Sequence, residues 1–275
     1  MNDESPKMRP SRVLRKLRAG GVAICAKLNL ADPRVSEMAA RSGFDCVWVD
    51  MEHVPSTLQQ IENHVRAAKI YDVDTVVRVQ RGSYSDLIHP LEMDAAGIMV
   101  PHCMGVEDAE KVAWYTRFHP IGRRPLDGGN ADGAYNTIPA DEYIRQANEQ
   151  RFVIVQIEDP EPLDELEQIA GVDGIDMILF GAADFSHAIG AVGQWDHPKI
   201  REVRRRIPEV ARSCGKFAGA LGPPAQVPEM VDLGYQFISV CADVVILATA
   251  FGDVISELSG TVAGPPGRGD GNPQT

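Results

Sequence analysis

The chain has 275 residues, of which 44% are hydrophobic and 24% charged, and it carries a formal net charge of -12. This size and composition fit one domain of the α/β barrel size class with a large buried core. The negative charge, with no basic stripe to neutralise phosphates, disfavours nucleic acid and anionic membrane surfaces as partners.

The cysteines are odd in number, scattered and without metal-like spacing, so we expect free thiols in a reducing, cytoplasmic setting. They are Cys25, Cys46, Cys103, Cys214 and Cys241. The basic residues near the N-terminus are followed by a short apolar stretch that Lys27 interrupts, which predicts neither a signal peptide nor a membrane span.

Both ends of the chain are poor in residues that can be buried. Residues 1–10 are polar and contain proline, and residues 259–275 are rich in glycine and proline. We therefore predict disordered tails at 1–10 and 259–275 around a single folded domain at 11–258.

Between the tails, eight strand-like apolar runs alternate with amphipathic helical patterns. The runs are 22–27, 46–50, 75–79, 97–100, 152–157, 176–181, 217–221 and 236–241. Eight such units predict a (β/α)8 TIM barrel, because parallel strands need crossover helices and eight strands can close the sheet. An open doubly wound sheet is the alternative, but neither GxGxxG after the first strand nor GxxxxGK[ST] is present.

The second strand ends in three chemically competent side chains, Asp50, Glu52 and His53. The C-terminal end of a strand is where α/β barrels keep their chemistry. Arg78 lies inside the apolar third strand, where a cation is costly unless it is paired or faces a polar cavity. Solvated charges at a strand end, and a structural ion pair for Arg78, are the simpler alternatives.

The fifth and sixth strands each run into a carboxylate, Glu158 and Asp184. Neighbouring carboxylates repel each other unless a cation or a proton lies between them. Oxygen ligands of this kind, without Cys or His at ligand spacing, suit Mg²⁺ or Mn²⁺ held partly by water and substrate. In the alternative reading, Asp184 caps the next helix and Glu158 pairs with a surface base.

Four segments in this order resemble the metal-dependent, class II HpcH/HpaI pyruvate aldolases: GFDCVWVDMEH (43–53), VVRV (76–79), VQIED (155–159) and GAADFS (181–186). The resemblance runs from about Gly21 to Gly222. It implies a (β/α)8 barrel and a homo-oligomer, either a hexamer or a trimer of dimers, whose last helix is exchanged between neighbouring subunits. The implied activity is cleavage or formation of a carbon-carbon bond through a pyruvate enolate, with an aldehyde and a 2-oxo acid, expected to be hydroxylated, as substrates.

The resemblance also implies a role for individual side chains and a divalent cation, Mg²⁺, Mn²⁺ or Co²⁺. The cation would stabilise the charge of the enolate, and His53 would move the proton, a common role of histidine in catalysis. The implied metal ligands are Glu158 and Asp184, with Glu52 in contact with a water on the metal. Arg78 would stabilise the enolate oxygen, and His53 would be the base, with Asp50 supporting its ring. Gln156 would lie near pyruvate, and the backbone amides of the Gly181–Asp184 turn, including that of Ala183, would bind the substrate carboxylate.

The loop after the fourth strand departs from the family pattern, as does, to a smaller degree, Ala182, which stands where proline is frequent. Family members often carry PxGxRG after the fourth strand, whereas residues 119–125 read HPIGRRP, so Arg124 keeps the cation as a substrate-binding candidate but Pro125 replaces the glycine. A fixed φ there should reshape the loop. Residues 119–137 are a candidate lid over the site or, alternatively, a disordered crossover.

Lys27 closes the first strand, where the family tends to have an apolar or aromatic side chain. It can meet a second substrate carboxylate, form a Schiff base in a mechanistically different aldolase, or be a paired structural lysine. His102, at the end of the fourth strand, is expected to be a packed histidine.

Two other functions remain open from the sequence. An oxaloacetate-type decarboxylase would pass through the same enolate, and a non-catalytic barrel could retain only a carboxylate-binding pocket. Metal-dependent release of pyruvate from an oxo acid is expected of an enzyme alone.

Overall fold

The computed structural model describes residues 7–258, and its eight parallel strands form a closed barrel in chain order. The strands are β1 Ala23–Leu28, β2 Cys46–Asp50, β3 Asp74–Arg78, β4 Gly97–Val100, β5 Phe152–Ile157, β6 Met177–Phe180, β7 Phe217–Leu221 and β8 Phe237–Ala242. The predicted (β/α)8 barrel is confirmed, and every strand begins and ends within one residue of its predicted position.

Helices surround the barrel, and two of the crossovers hold a pair of them. The helices are α1 Arg12–Arg18, α2 Arg34–Arg41, α3 Leu58–Lys69, α4 Tyr84–Glu92, α5 Val106–Thr116, α6 Ala140–Gln150, α7 Leu166–Gly171, α8 Ala182–Ala188, α9 Pro198–Ser213, α10 Val227–Leu233 and α11 Asp243–Leu258. The start of α3 shows how sequence sets a boundary: Thr57 and Gln60 form a capping box that satisfies two otherwise unpaired amides.

The barrel interior changes character along its axis. Apolar side chains from alternate strand positions, such as Cys46 and Trp48 on β2, pack together in its lower and middle layers. Continuing the same period-two alternation brings Asp50, Arg78 and Gln156 to the C-terminal ends of their strands, where all three are buried. The alternation therefore gathers polar side chains at one end of the barrel.

Residues 7–10 are not a disordered tail, and the expectation for 1–10 is wrong for this part of it. Met8 is only 3% exposed, and its amide donates to Gln146 Oε1 at 2.6 Å. Arg9 forms ion pairs with Asp72 and Asp74. Burial of Met8 and two ion pairs stabilise a segment that composition alone placed outside the fold. Residues 1–6 and 259–275, the rest of the predicted tails, lie outside the described residues.

Helix α11 presents apolar side chains to solvent instead of to the barrel. Its Val245, Phe251 and Ile255 are each more than 60% exposed. Within residues 7–258, no helix is both long enough and apolar enough to cross a membrane. All five cysteines are free, and three of them are buried.

Candidate active site

A cavity of about 760 Å³ opens at the C-terminal ends of the strands. Seven of the ten predicted site residues line it, which places β1, β2, β3, β5 and the turn after β6 around one space. They are Lys27, His53, Arg78, Gln156, Glu158, Ala183 and Asp184.

Asp50 pairs with two cationic side chains of the cavity wall, Arg78 and Lys27. It accepts hydrogen bonds from Arg78 Nε at 2.9 Å and from a terminal nitrogen of Arg78 at 2.6 Å, and Lys27 Nζ lies 3.0 Å from its Oδ2. Although burial opposes ionisation, the bonds and charges of Arg78 and Lys27 hold the pKa of Asp50 well below its usual range. Both cations also lie over the Trp48 ring, so their positions are fixed by charge and by stacking.

Glu52 and His53 follow β2 in a turn that Asp50 stabilises. The backbone amide of Glu52 donates to Asp50 Oδ1 at 3.0 Å, and the Glu52 carboxylate pairs with Arg78 at 2.9 Å. The His53 ring faces Glu52, with 3.7 Å between Nε2 and Oε2, which is too long for a direct hydrogen bond. Asp50 contacts the backbone amide of His53 at 3.5 Å, and its side-chain partners in the structure are Arg78 and Lys27, so support of the His53 ring by Asp50 stays a prediction.

Glu158 is a buried carboxylate, 2% exposed, and no cation among residues 7–258 forms an ion pair with it. Gln156 Nε2 donates to its Oε1 at 2.9 Å, and the His102 amide donates to its Oε2 at 3.0 Å. Burial raises its pKa to about 7; the contact with His102 and the charge of Arg78 oppose this, and the charge of Asp184 adds to it. The carboxylate is thus held in place by two hydrogen bonds in a buried position that disfavours its ionised form.

The turn after β6 needs glycine next to this carboxylate. A Cβ on Gly181 would lie 2.3 Å from Glu158 Oε1, so any side chain there would displace Glu158. Gly181 precedes α8 without a side-chain cap, and Asp184 lies in the first turn of that helix and lines the cavity. Asp184 and Glu158 therefore face the same cavity.

The residues present fit a hard divalent cation. Within residues 7–258, no group of three or more His, Cys, Asp or Glu side chains is arranged to hold a metal. Glu158 and Asp184 would therefore supply two oxygens, with water and substrate completing the shell, which is how Mg²⁺ is commonly bound. Burial, together with the charge of Asp184, raises the pKa of Glu158 even though His102 and Arg78 act against it, and a perturbed carboxyl group in a cavity is typical of a functional site.

The chain is similar to known enzymes over most of its length. The sequence pattern of the HpcH/HpaI aldolase/citrate lyase family matches residues 27–250, most of the chain. The chain belongs to the HpcH/HpaI aldolase/citrate lyase family. It is 30% identical over 257 residues to a hydroxypyruvate/pyruvate aldolase of Pseudomonas aeruginosa, covering 93% of this chain and 95% of that one.

Other relatives agree on the family. A 2-keto-3-deoxy-L-rhamnonate aldolase of Salmonella gallinarum is 31% identical and covers 85% of this chain and 88% of its own. The crystal structure of an HpcH/HpaI aldolase from Desulfitobacterium hafniense DCB-2 superposes with a TM-score of 0.86 at 26% identity, covering 92% of this chain and 98% of that one.

Arg124, the cation of the family-like loop, does not line this cavity. It is 4% exposed, pairs with Asp132 at 2.7 Å and lies over the Phe118 ring. The loop begins at Arg117, whose guanidinium bonds to the carbonyls of Gly174 and Arg151 just before β6 and β5. The segment therefore leaves from the N-terminal end of the barrel.

The predicted lid at 119–137 is wrong for the same reason. Helix α5 carries the chain from the mouth to the opposite end before residue 119 is reached, and the amide of Asp132 bonds to the carbonyl of Glu92 at the end of α4. The segment is also an ordered crossover, since Tyr143 and Arg124 both bond to the Asp132 carboxylate.

His102 is the residue that sequence reasoning missed. It was expected to be a packed histidine, yet its side chain is 37% exposed and stands among the carboxylates of Glu52, Glu158 and Asp159. Burial opposes protonation of the ring, but the hydrogen bond to Asp159 and the charges of the three carboxylates outweigh it, so the pKa of His102 is raised. Its position two residues after β4 indicates that it lies at the mouth of the barrel, but not which groups its backbone and ring contact.

Proposed function

We propose that this protein is a divalent-metal-dependent carbon-carbon lyase that cleaves or forms a 2-oxo acid through a pyruvate enolate. The observation that carries the proposal is the pair Glu158 and Asp184, which has no ion pair within 4 Å among residues 7–258, in one cavity with the fixed cation Arg78. Membership of a family whose named relatives include pyruvate aldolases supports the same chemistry.

Glu158 and Asp184 would hold the cation, which when bound would supply fixed positive charge for the enolate oxygen. Arg78 adds a second fixed charge, and Asp50 keeps its guanidinium from rotating, so little reorganisation is needed during the reaction. The substrate carboxylate would bind at the first turn of α8, where Ala183 lines the cavity.

His53 is the proposed proton carrier. Its side chain is 58% exposed and lines the cavity, so it is open to substrate from the mouth. In the cleavage direction it takes the proton of the 4-hydroxyl group as the C3–C4 bond breaks, and the bonding electrons pass to the pyruvate half as the enolate. His53 then returns a proton to the C3 methylene carbon, which yields pyruvate and an aldehyde.

Three further assignments belong to the proposal. The cation is Mg²⁺, Mn²⁺ or Co²⁺, which suits an all-oxygen ligand set. The protein is a homo-oligomer, because α11 exposes a row of apolar side chains that a second subunit would cover. A cytoplasmic location fits five free thiols.

The test is a coupled assay for pyruvate release from 4-hydroxy-2-oxo acids and from oxaloacetate, with and without EDTA. We expect EDTA to stop the reaction and Mn²⁺ or Mg²⁺ to restore it. Glu158→Gln should be inactive, whereas Glu229→Gln, which alters an exposed carboxylate of the same cavity wall, should retain activity. Release of pyruvate from oxaloacetate alone would identify a decarboxylase. If no oxo acid released pyruvate, both the aldolase and the decarboxylase hypotheses would be contradicted.

A further inference from the structure

The chain breaks its regular strand pairing at the residue that contacts Glu158. Strands β4 and β5 pair in register up to Val100 and Val155, and the next bond runs from the Cys103 amide to the carbonyl of Gln156. Pro101 and His102 lie between these two points. His102 has φ +48, a left-handed conformation that is uncommon for a residue other than glycine.

This conformation turns the His102 amide away from the strand ladder and onto the side chain of Glu158, 3.0 Å from Oε2. A local irregularity in a strand commonly redirects a group in this way beside an active site. The amide is a donor that cannot rotate independently of the backbone. The orientation of Glu158 is therefore set by the backbone angle of a residue that follows the neighbouring strand, β4.

Side chains on both sides hold His102 in place. Its Nδ1 lies 2.8 Å from Asp159 Oδ2, and its Nε2 lies 3.8 Å from Glu52 Oε1. Arg81 donates to the carbonyl of His102 and pairs with Asp108, which in turn accepts the amide of Met104. These contacts together stabilise the left-handed conformation of His102, which is unfavourable on its own.

We propose that His102 is a positioning residue, whose left-handed backbone aims Glu158 at the divalent cation. This inference rests on the proposed function, since it assumes that Glu158 is a ligand. Outer hydrogen bonds to a ligating carboxylate typically change metal affinity by roughly 10- to 100-fold when they are removed. The amide of His102 is a bond of this kind.

The experiment separates the backbone of His102 from its ring. His102→Gly and His102→Val both remove the ring and retain an amide, but glycine adopts φ +48 readily and a β-branched residue does not. Binding of Mn²⁺ is measured by electron paramagnetic resonance on the full chain. We expect His102→Gly to bind Mn²⁺ within about threefold of the original protein and His102→Val to bind it roughly 10- to 100-fold more weakly.

Tyr135→Val is the matched control, because Tyr135 has φ +56, is exposed and lies in the crossover that leaves from the opposite end of the barrel. It should leave Mn²⁺ binding unchanged. Circular dichroism checks folding; if the His102→Val protein does not fold, His102→Ala replaces it and should still bind more weakly than His102→Gly. Equal affinity in the glycine and valine or alanine variants would overturn the inference, whereas failure of the original protein to bind Mn²⁺ would overturn the proposed function itself.

Discussion

The two ends of this barrel differ in how their carboxylates are paired: at the mouth Asp50 pairs with Arg78 and Lys27, but the two candidate metal ligands have no such partner among residues 7–258. At the N-terminal end, four aspartates at or just before the strands each have a cation: Arg9 pairs with Asp74, Arg12 and Lys16 with Asp45, Lys69 and Arg151 with Asp94, and Arg117 with Asp176. At the C-terminal mouth, Glu158 and Asp184 have no ion pair within 4 Å among residues 7–258.

The difference shows which end is built for stability and which for binding. A paired carboxylate at the N-terminal end stabilises the fold by holding its partner, and removing it leaves a buried cation unpaired. An unpaired carboxylate at the mouth costs free energy until a ligand arrives, which is typical of a functional site. The comparison therefore predicts opposite outcomes for substitutions at the two ends.

The largest effect on activity is expected for Glu158→Gln, which should abolish turnover without lowering stability. Below the ordinary carboxyl pKa of 4.5, Glu158 is protonated in both states and costs nothing. As pH rises from 4.5 to about 7, the unfolded state ionises while the folded state resists ionisation, so the folded state loses up to about 3 kcal/mol of stability, and above this pH the loss is complete. Thermal unfolding in EDTA should show the variant matching the original protein at pH 4 and exceeding it at pH 8.

The second effect concerns His53→Ala, which should reduce cleavage by roughly 10²- to 10⁴-fold, the usual range for loss of a general acid-base group. Because His53 is exposed and holds no buried partner, unfolding should be unchanged. Pyruvate binding should remain measurable by calorimetry. Unchanged kinetics would move the proton transfer to another residue, with Glu52 the next candidate.

At the N-terminal end, Asp94→Asn should do the reverse of Glu158→Gln. Asparagine tolerates the left-handed backbone at this position, φ +71, so the substitution removes charge with little conformational cost. It leaves Arg151, which is 2% exposed, without its carboxylate, and should lower the free energy of unfolding by about 3 kcal/mol. Denaturant titration measures this, and kcat per folded molecule should not change. A comparable loss of kcat would mean that the two ends are not independent.

The smallest effect is expected for Lys27→Ala. Lys27 shares Asp50 with Arg78, so its loss should change which acid or aldehyde is preferred while Arg78 stays in place. Exchange of the pyruvate methyl protons should continue in this variant. Borohydride added during turnover, followed by mass spectrometry, should show no pyruvyl adduct; an adduct on Lys27 would establish Schiff-base chemistry instead.

The sequence predicted the barrel and its mouth because both follow from periodicity. Each strand is a short apolar run, and Asp50, Arg78 and Glu158 sit at or beside strand ends, so their convergence follows once eight strands close. Arg124 could not be placed in this way. Its loop pattern gives residue types, but only the path of α5 decides which end of the barrel the loop leaves from.

His102 was missed for a different reason. No propensity or spacing reveals that Pro101 and His102 leave the strand ladder, nor that the φ of His102 is positive. The pairing of Asp50 with Arg78 and Lys27 likewise depends on three-dimensional distances that alternation along β2 does not give.

The most direct test of the central claim follows the methyl protons of pyruvate by NMR in D₂O, because their exchange reports enolate formation without any aldehyde. The proposed metal site at Glu158 and Asp184 predicts no exchange in EDTA, exchange once Mn²⁺ or Mg²⁺ is added, and none in Asp184→Ala with either ion. Exchange at full rate in EDTA, or in Asp184→Ala, would contradict the account.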